Sequence, residues 1–426
     1  MDKIGKYEIV RKLGAGATST VYLANDPFSE QRVAIKLIDL KTLRDPHRAK
    51  IYRKLLMTEA SLAGKLSHPH IVKILDAVME EDINYIVMEY VEGSTLEQYA
   101  EADNLLPIST IAEVVYKCCK ALEYAQNQGV IHRDIKPANI LLHGEAEIKI
   151  ADFGAAAIQS SRDTTQVAGI GSPAYMSPEQ IEESELTHQT DIYSLGVVMY
   201  KLLTGKLPFD TDSNVSTVYH ILNVDPPPPS ALRRDTPPEM DAIVRRAMEK
   251  KTAKRYQTWY EFSRDLVVFF KHSIPDQNEI FDTEKFDTLR SLAFFRNFSD
   301  VELWDVLRIS EWRRITKSEQ ILREGESGRS FFVLAEGTVR VVKQGKWLCL
   351  LHQGDCFGEM AHLADQDPKR SADVIAKSDA VLIEIRPDAL ASATTGCRFQ
   401  FVDAFLHILV KRLTAASTRI SFLETA

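Results

Sequence analysis

Ile131-His132-Arg133-Asp134-Ile135-Lys136-Pro137-Ala138-Asn139, followed by Ala151-Asp152-Phe153-Gly154, sets a carboxylate, a lysine and an amide on one tight loop. Apolar segments flank that loop, Val130 and Ile131 before it and Ile140, Leu141 and Leu142 after. Its polar side chains offer an acceptor for a hydroxyl proton, a cation for an anionic group and hard oxygen ligands for a divalent ion.

These are the parts that phosphoryl transfer needs, and the two motifs resemble the catalytic and metal-binding loops of protein kinases. The resemblance implies that Asp134 is the catalytic base and that Lys136 neutralises the γ-phosphate of ATP. It also implies that Asn139 holds one Mg²⁺ and that Asp152 holds Mg²⁺ bridging the phosphates.

Upstream, Tyr7 to Leu13 reads as a strand, and Gly14-Ala15-Gly16-Ala17-Thr18-Ser19-Thr20-Val21-Tyr22 turns and returns as another. A strand after the glycines, where a dinucleotide fold would have a helix, resembles the kinase loop that covers the phosphates, with Ser19 in the place of the third glycine. Without a Cβ, Gly14 and Gly16 let backbone amides approach phosphate. Val33-Ala34-Ile35-Lys36 resembles the third kinase strand, so Lys36 is expected on the α- and β-phosphates, with Val21 and Ala34 against the nucleotide. Its carboxylate partner is Glu59, which falls on the same face as Leu55, Leu62 and Leu66 at helical spacing. Tyr85 to Val91 is an apolar strand resembling the hinge between two lobes. There Met88 backs the pocket and the backbones of Glu89 and Val91 bond adenine.

Downstream, Ala155 to Met176 matches an activation loop and ends at Ser177-Pro178-Glu179, where the family has Ala-Pro-Glu. Glu179 is expected to pair with Arg255. Asp191 is expected to brace the catalytic loop, and Arg133 to receive a phosphate carried by Thr164 or Thr165. Lys136, two residues after Asp134, together with Gly171-Ser172-Pro173, implies serine or threonine as the target. Pro226 to Pro229 is read as a surface connection.

From Leu292 the texture changes to short strands with turns at Gly325, Gly328, Gly337 and Gly345, a β-roll pattern. Phe357-Gly358-Glu359-Met360-Ala361 with Arg370-Ser371-Ala372 resembles the cassette of cyclic-nucleotide-binding domains. The resemblance implies that Arg370 and Ser371 bind the cyclic phosphate, Gly358 presents amides and Glu359 accepts from the ribose 2′-hydroxyl. Cyclic AMP and cyclic GMP both stay open as ligand. Phe399 to Ile420 reads as a helix with an apolar face at Phe401, Phe405, Leu409 and Leu413, which in this family lids the base or dimerises.

The expected fold is therefore a multidomain α+β chain, a bilobal protein-kinase fold followed by a β-roll cyclic-nucleotide-binding domain with flanking helices. The divisions are a kinase domain at 1–270 (small lobe 1–90, large lobe 91–270), a linker at 271–290 and the second domain at 291–420. A length of 426 residues suits more than one core. The net charge of −8 argues against a general nucleic-acid binder. The 5 cysteines lack metal-ligand spacing and read as reduced thiols. No apolar run reaches the ~20 residues of a membrane span and the N-terminus has no apolar signal core, so the cytoplasm is the expected location. The expected partners are a Ser/Thr protein substrate, a cyclic nucleotide and a second copy of the chain. Two rival readings use the same residues, a non-catalytic scaffold and an active kinase whose second domain only dimerises.

Overall fold

Along Arg32–Ile38 apolar residues that can be buried on one side alternate with Ala34 and Lys36 on the other. In the computed structural model this segment is a central strand. The structure describes residues 2–15, 19–38, 57–62, 64–79, 84–153, 157–158, 173–211, 213–273, 280–360 and 369–424. The chain divides into two compact units, Met1–Asp276 and Gln277–Ala426.

In the first unit β1 (Lys3–Ile4), β2 (Tyr7–Ala15), β3 (Ser19–Asn25), β4 (Arg32–Ile38), β5 (Ile74–Met79) and β6 (Asn84–Glu89) form one antiparallel sheet, ordered β1-β2-β3-β4-β6-β5. Val33 and Ile35 pack with Ile4, Tyr7, Ala24, Tyr85 and Val87 on one face, each fully buried aliphatic contributing roughly 1.5–3 kcal/mol. The period of two turns Ala34 and Lys36 to the opposite face. Register then sets Val21 opposite Lys36 and Met88 opposite Ala34. Directly opposed residues share a face, so these four side chains line one surface.

The rest of this unit is mainly helical. The helix α1 (Ile108–Asn127) is buried without a break from Ile111 to Leu122. In α2 (His188–Thr204) every residue from Thr190 to Thr204 is buried, the signature of a helix enclosed on all sides. It can be enclosed because a Cβ on Gly196 would lie 2.8 Å from the Ala247 side chain of α3 (Pro238–Ala247), so a larger residue would push the helices apart. The helix α4 (Trp259–Ser273) completes the helical part of the unit.

Short strands frame the loop quoted first. These are β7 (Ser94–Thr95), β8 (Val130–Ile131), β9 (Ile140–His143), β10 (Glu147–Ile150) and β11 (Ala157–Ile158). The β9–β10 hairpin pairs Ile140 with Ile150 and thereby sets Asn139 beside Ala151. A bridge from Ile71 to Ile150 ties the strand leading to Asp152 to the chain that follows the helical residues 57–61.

The second unit starts with α5 (Asp282–Ser291) and α6 (Asp300–Ile309), where Phe286 stacks on Trp304 with ring centres 4.5 Å apart. Among the described residues eight strands follow, β12 (Ser310–Ile315), β13 (Gln320–Leu322), β14 (Phe331–Glu336), β15 (Thr338–Lys343), β16 (Lys346–His352), β17 (Cys356–Phe357), β18 (Asp373–Ala376) and β19 (Ala380–Ile385). They make two antiparallel sheets, β12-β19-β14-β17 and β13-β18-β15-β16. Phe332, Leu334 and Leu382 of one sheet and Val339, Val374 and Ala376 of the other share one core, the β-roll expected from the strand pattern. β13 stops at Leu322, where the backbone heads into the expected turn at Gly325 and the Glu324 amide is taken by Asp373 Oδ1 at 2.8 Å.

The last helix, α7 (Thr395–Glu424), buries Phe401 and Phe405 but leaves Leu409 39% and Leu413 69% exposed. Steps of four advance about 40° beyond a full turn each time, so the apolar row rotates off the buried face.

Candidate functional site

The Asp134 loop is held from behind. Asp191, in the first turn of α2 and 3% exposed, accepts the amides of His132 and Arg133, both at 2.8 Å. His132 Nδ1 accepts the Asp134 amide at 3.2 Å, which leaves Nε2–H to donate to the Ala151 carbonyl at 3.1 Å. Its ring lies 4.4 Å from that of buried Phe153. Arg133 and Asp152 both have positive φ, 69° and 63°, a conformation that costs energy outside glycine and is held only where its surroundings enforce it.

On this frame Asp134 Oδ2 accepts from Lys136 Nζ at 2.7 Å and from Asn139 Nδ2 at 3.1 Å, while Nδ2 also reaches the Asp134 carbonyl at 2.8 Å. With its nitrogen so engaged, Asn139 presents Oδ1 as the amide atom for a cation. Lys36 Nζ lies 2.9 Å from Glu59 Oε2 and 2.6 Å from Asp152 Oδ1. Burial is the largest single influence on Lys36 and favours the neutral amine, yet the carboxylates of Asp152 and Glu59 outweigh it and hold the ammonium above its ordinary range. Burial pushes the Glu59 carboxyl up, against the pull of Lys36. The whole group carries more carboxylate than ammonium. A divalent ion can balance that excess, and Asp152 with Asn139 supplies the hard oxygen donors that Mg²⁺ accepts. Among the described residues no cluster of three or more His, Cys, Asp or Glu forms.

Val21, Ala34 and Met88 share the face of Lys36, and Gly14 is paired with Val21. The Glu89 amide donates to the Lys73 carbonyl at 3.0 Å, so only its carbonyl is left for an adenine, and its side chain pairs with Lys149 at 2.8 Å. Val91 follows β6 and is half-buried. Gly16, Gly154, Thr164, Thr165, Gly171 and Ser172 lie outside the described residues.

Glu179 and Arg255 meet across 76 positions in two parallel bonds, 2.8 and 3.1 Å, and Arg255 also donates to the Gln189 carbonyl at 2.6 Å. The Arg255 side chain is wholly buried. Removing one partner would leave the other as an uncompensated buried charge. Arg255→Ala is therefore expected to destabilise the first unit by about 3–5 kcal/mol, read from the urea midpoint, and a loss below about 1 kcal/mol would contradict it.

In the second unit Arg370 is 6% exposed. Its Nη1 donates to the Ser330 carbonyl at 2.7 Å and its Nη2 to Ser330 Oγ at 3.1 Å. Gly358 has φ +80°, and a Cβ there would stand 2.9 Å from Arg370 Nη1, so this turn needs glycine for both reasons. Gly358, Glu359, Arg370 and exposed Ser371 line one cavity of about 580 Å³, walled by Leu322, Val341, Phe357 and Val374. Two neighbours escaped sequence reasoning. Ser330, which fixes the Arg370 fork, carries no signal beyond a serine before an apolar strand. Arg412, which bonds Glu359, is one of several basic residues on its helix.

Residues 7–265 match the protein kinase domain family and residues 312–395 the cyclic nucleotide-binding domain family. The chain is 40% identical over 281 residues to the serine/threonine-protein kinase PknB of Mycobacterium leprae, a match covering 65% of this chain and 44% of that protein. It is 37% identical over 267 residues to the serine/threonine-protein kinase PrkC of Bacillus subtilis, covering 62% of this chain and 41% of that protein. The chain thus spans less than half the length of these curated relatives.

Proposed function

Because the chain belongs to the protein kinase domain family and continues into a cyclic nucleotide-binding domain, we propose that it transfers phosphate from ATP to serine or threonine of a protein, under control of a cyclic nucleotide. The observation that carries the transfer reading is Lys36 held between Glu59 and Asp152, facing the same site as the Asp134–Lys136–Asn139 cluster. Asp134 takes up and orients the substrate hydroxyl. Lys136 offsets charge on the moving phosphate, and Lys36, steadied by Glu59, holds the α- and β-phosphates with the backbone of Gly14 above. Asp152 and Asn139 would hold a Mg²⁺ ion, which would supply charge neutralisation to the phosphates. Ala34, Val21 and Met88 clasp the adenine, whose polar edge meets the backbone of Glu89 and Val91.

Arg133 supports control through the Thr164–Thr165 segment, since its Nε is buried without a hydrogen-bond partner among the described residues. A phosphorylated Thr164 or Thr165 would supply that partner. Binding of cyclic AMP or cyclic GMP by Gly358, Glu359, Arg370 and Ser371 is supported by the shared cavity and by the fork of Arg370. A second copy of the chain fits α7, where Phe399, Val402, Leu406, Leu409 and Leu413 are exposed at spacings of three and four, a coiled-coil seam. A cytoplasmic place accords with five free cysteines. Among the described residues no helix is long and apolar enough to cross a membrane.

The deciding assay is transfer of labelled phosphate from ATP to a generic protein acceptor, with and without EDTA, cyclic AMP and cyclic GMP. Label on serine and threonine that vanishes with EDTA supports the kinase reading. No transfer under any condition would put a non-catalytic scaffold in its place. A rate unmoved by either nucleotide would leave the second domain without a regulatory part.

A further inference from the structure

The cavity of about 580 Å³ in the second unit has two unlike walls. Gly358, Arg370 and Ser371 bring polar groups to one, whereas Val341, Lys343 and Leu348 belong to the other, built by β15 and β16. Lys343 is the single charged side chain that these two strands give to the cavity. The period of two sets it on the face of β15 that carries Val341. It is exposed, and among the described residues its ammonium has no carboxylate within ion-pair distance. Across the strand pair it faces another cation, Lys346, and like charges set directly opposite destabilise a sheet. An ammonium on an otherwise apolar wall, with a like charge opposite, calls for an acceptor that a ligand brings.

We propose that Lys343 selects the base of the ligand, and that it favours a purine with two acceptors on its Hoogsteen edge, hence cyclic GMP over cyclic AMP. The inference rests on the reading of this cavity as a cyclic-nucleotide site. With the phosphate at Arg370 and the ribose beside Glu359, the base is left to the β15–β16 wall, where Val341 and Leu348 cover its apolar surface. Guanine then presents N7 and O6, both acceptors, and a lysine donates to both. Adenine presents N7 and an N6 amino group that is itself a donor. Two donors cannot bond each other, so the ammonium gains one acceptor from adenine and two from guanine. Because Lys343 is exposed, water competes for it and holds the discrimination to about tenfold, equivalent to about 1.4 kcal/mol.

The test is calorimetric titration of the full chain with cyclic GMP, cyclic IMP and cyclic AMP. Hypoxanthine keeps O6 and N7 but lacks the 2-amino group of guanine, so cyclic IMP isolates the edge that faces Lys343. The unaltered chain should bind cyclic GMP and cyclic IMP about equally, and both about tenfold tighter than cyclic AMP. In Lys343→Met, which keeps length and removes the charge, the three affinities should converge through loss of the advantage of cyclic GMP and cyclic IMP. In Lys343→Glu, whose carboxylate accepts from N6 and repels O6, cyclic AMP should become the tightest of the three. The residue is exposed at the end of its strand, so both variants should fold, and thermal melting verifies that they do. Cyclic AMP bound as tightly as cyclic GMP by the unaltered chain overturns the proposal while the pocket reading stands. A cyclic GMP preference that survives both substitutions overturns it equally, because another group would then choose the base. Failure of the folded chain to bind any of the three nucleotides overturns the pocket reading and this proposal together.

Discussion

Replacing Asp134 by alanine is expected to lower the rate of phosphate transfer by about 10²- to 10⁴-fold, the range for loss of a positioned proton acceptor. The carboxylate has more than one task here. Oδ2 anchors both Lys136 Nζ at 2.7 Å and Asn139 Nδ2 at 3.1 Å, so its removal also frees the cation and the amide proposed to meet phosphate and metal. The nucleotide face stands apart from this loss. Lys36, Val21, Ala34 and Met88 are placed by the β3–β4–β6 register, and Glu59 and Asp152 keep their bonds to Lys36. The KM for ATP should therefore shift by no more than about twofold while kcat collapses, the pattern of an interaction made in the transition state alone. Steady-state kinetics with labelled ATP separate the two constants. An Asp134→Ala enzyme with near-normal kcat would falsify the assignment of the base.

For the second unit the largest effect is expected at Arg370. Arg370→Ala should weaken cyclic-nucleotide binding by about 2–5 kcal/mol, or roughly thirtyfold to several thousandfold, because a desolvated charge paired with the ligand is lost. The side chain is buried to 6% exposure and pre-set by Ser330 through two bonds, so little ordering cost is incurred when a phosphate arrives. Burial lowers its affinity for the proton only against a very high starting point, and the guanidinium stays charged. Arg370→Lys keeps the charge but not the fork and should recover only a minor part of the loss. Calorimetric titration gives the affinities, and thermal melting of each variant shows whether the β-roll has kept its fold. Wild-type affinity in a folded Arg370→Ala chain would remove Arg370 from the site.

How much of this was open to sequence reading depends on chain separation. Asp134, Lys136 and Asn139 fall within one loop, so their order nearly dictates their contact. Strand alternation in Arg32–Ile38 likewise separates the core residues Val33 and Ile35 from Ala34 and Lys36. The α7 row fared less well. Phe401, Phe405, Leu409 and Leu413 read as one face, whereas the helix buries the first two and exposes the last two. A count of fours drifts around a helix of 3.6 residues per turn, and only packing against Phe294 and Phe331 shows where burial ends.

By itself the sequence determined the strand and helix periods and the residues that share the Asp134 loop, because these follow from periodicity and from neighbours along the chain, while the two fold classes came from motifs that resemble known families. The tertiary structure decided which distant groups share charge. Lys36 joins Glu59 and Asp152 across 23 and 116 positions, Arg255 meets Glu179, and Arg412 closes on Glu359 from 53 positions away. No local pattern encodes such pairings; the family resemblance implied Lys36 with Glu59 and Glu179 with Arg255, and only the structure added Asp152 to Lys36 and Arg412 to Glu359. They exist because the fold brings each set of groups together at its own site, where a buried charge left without a partner would cost several kcal/mol.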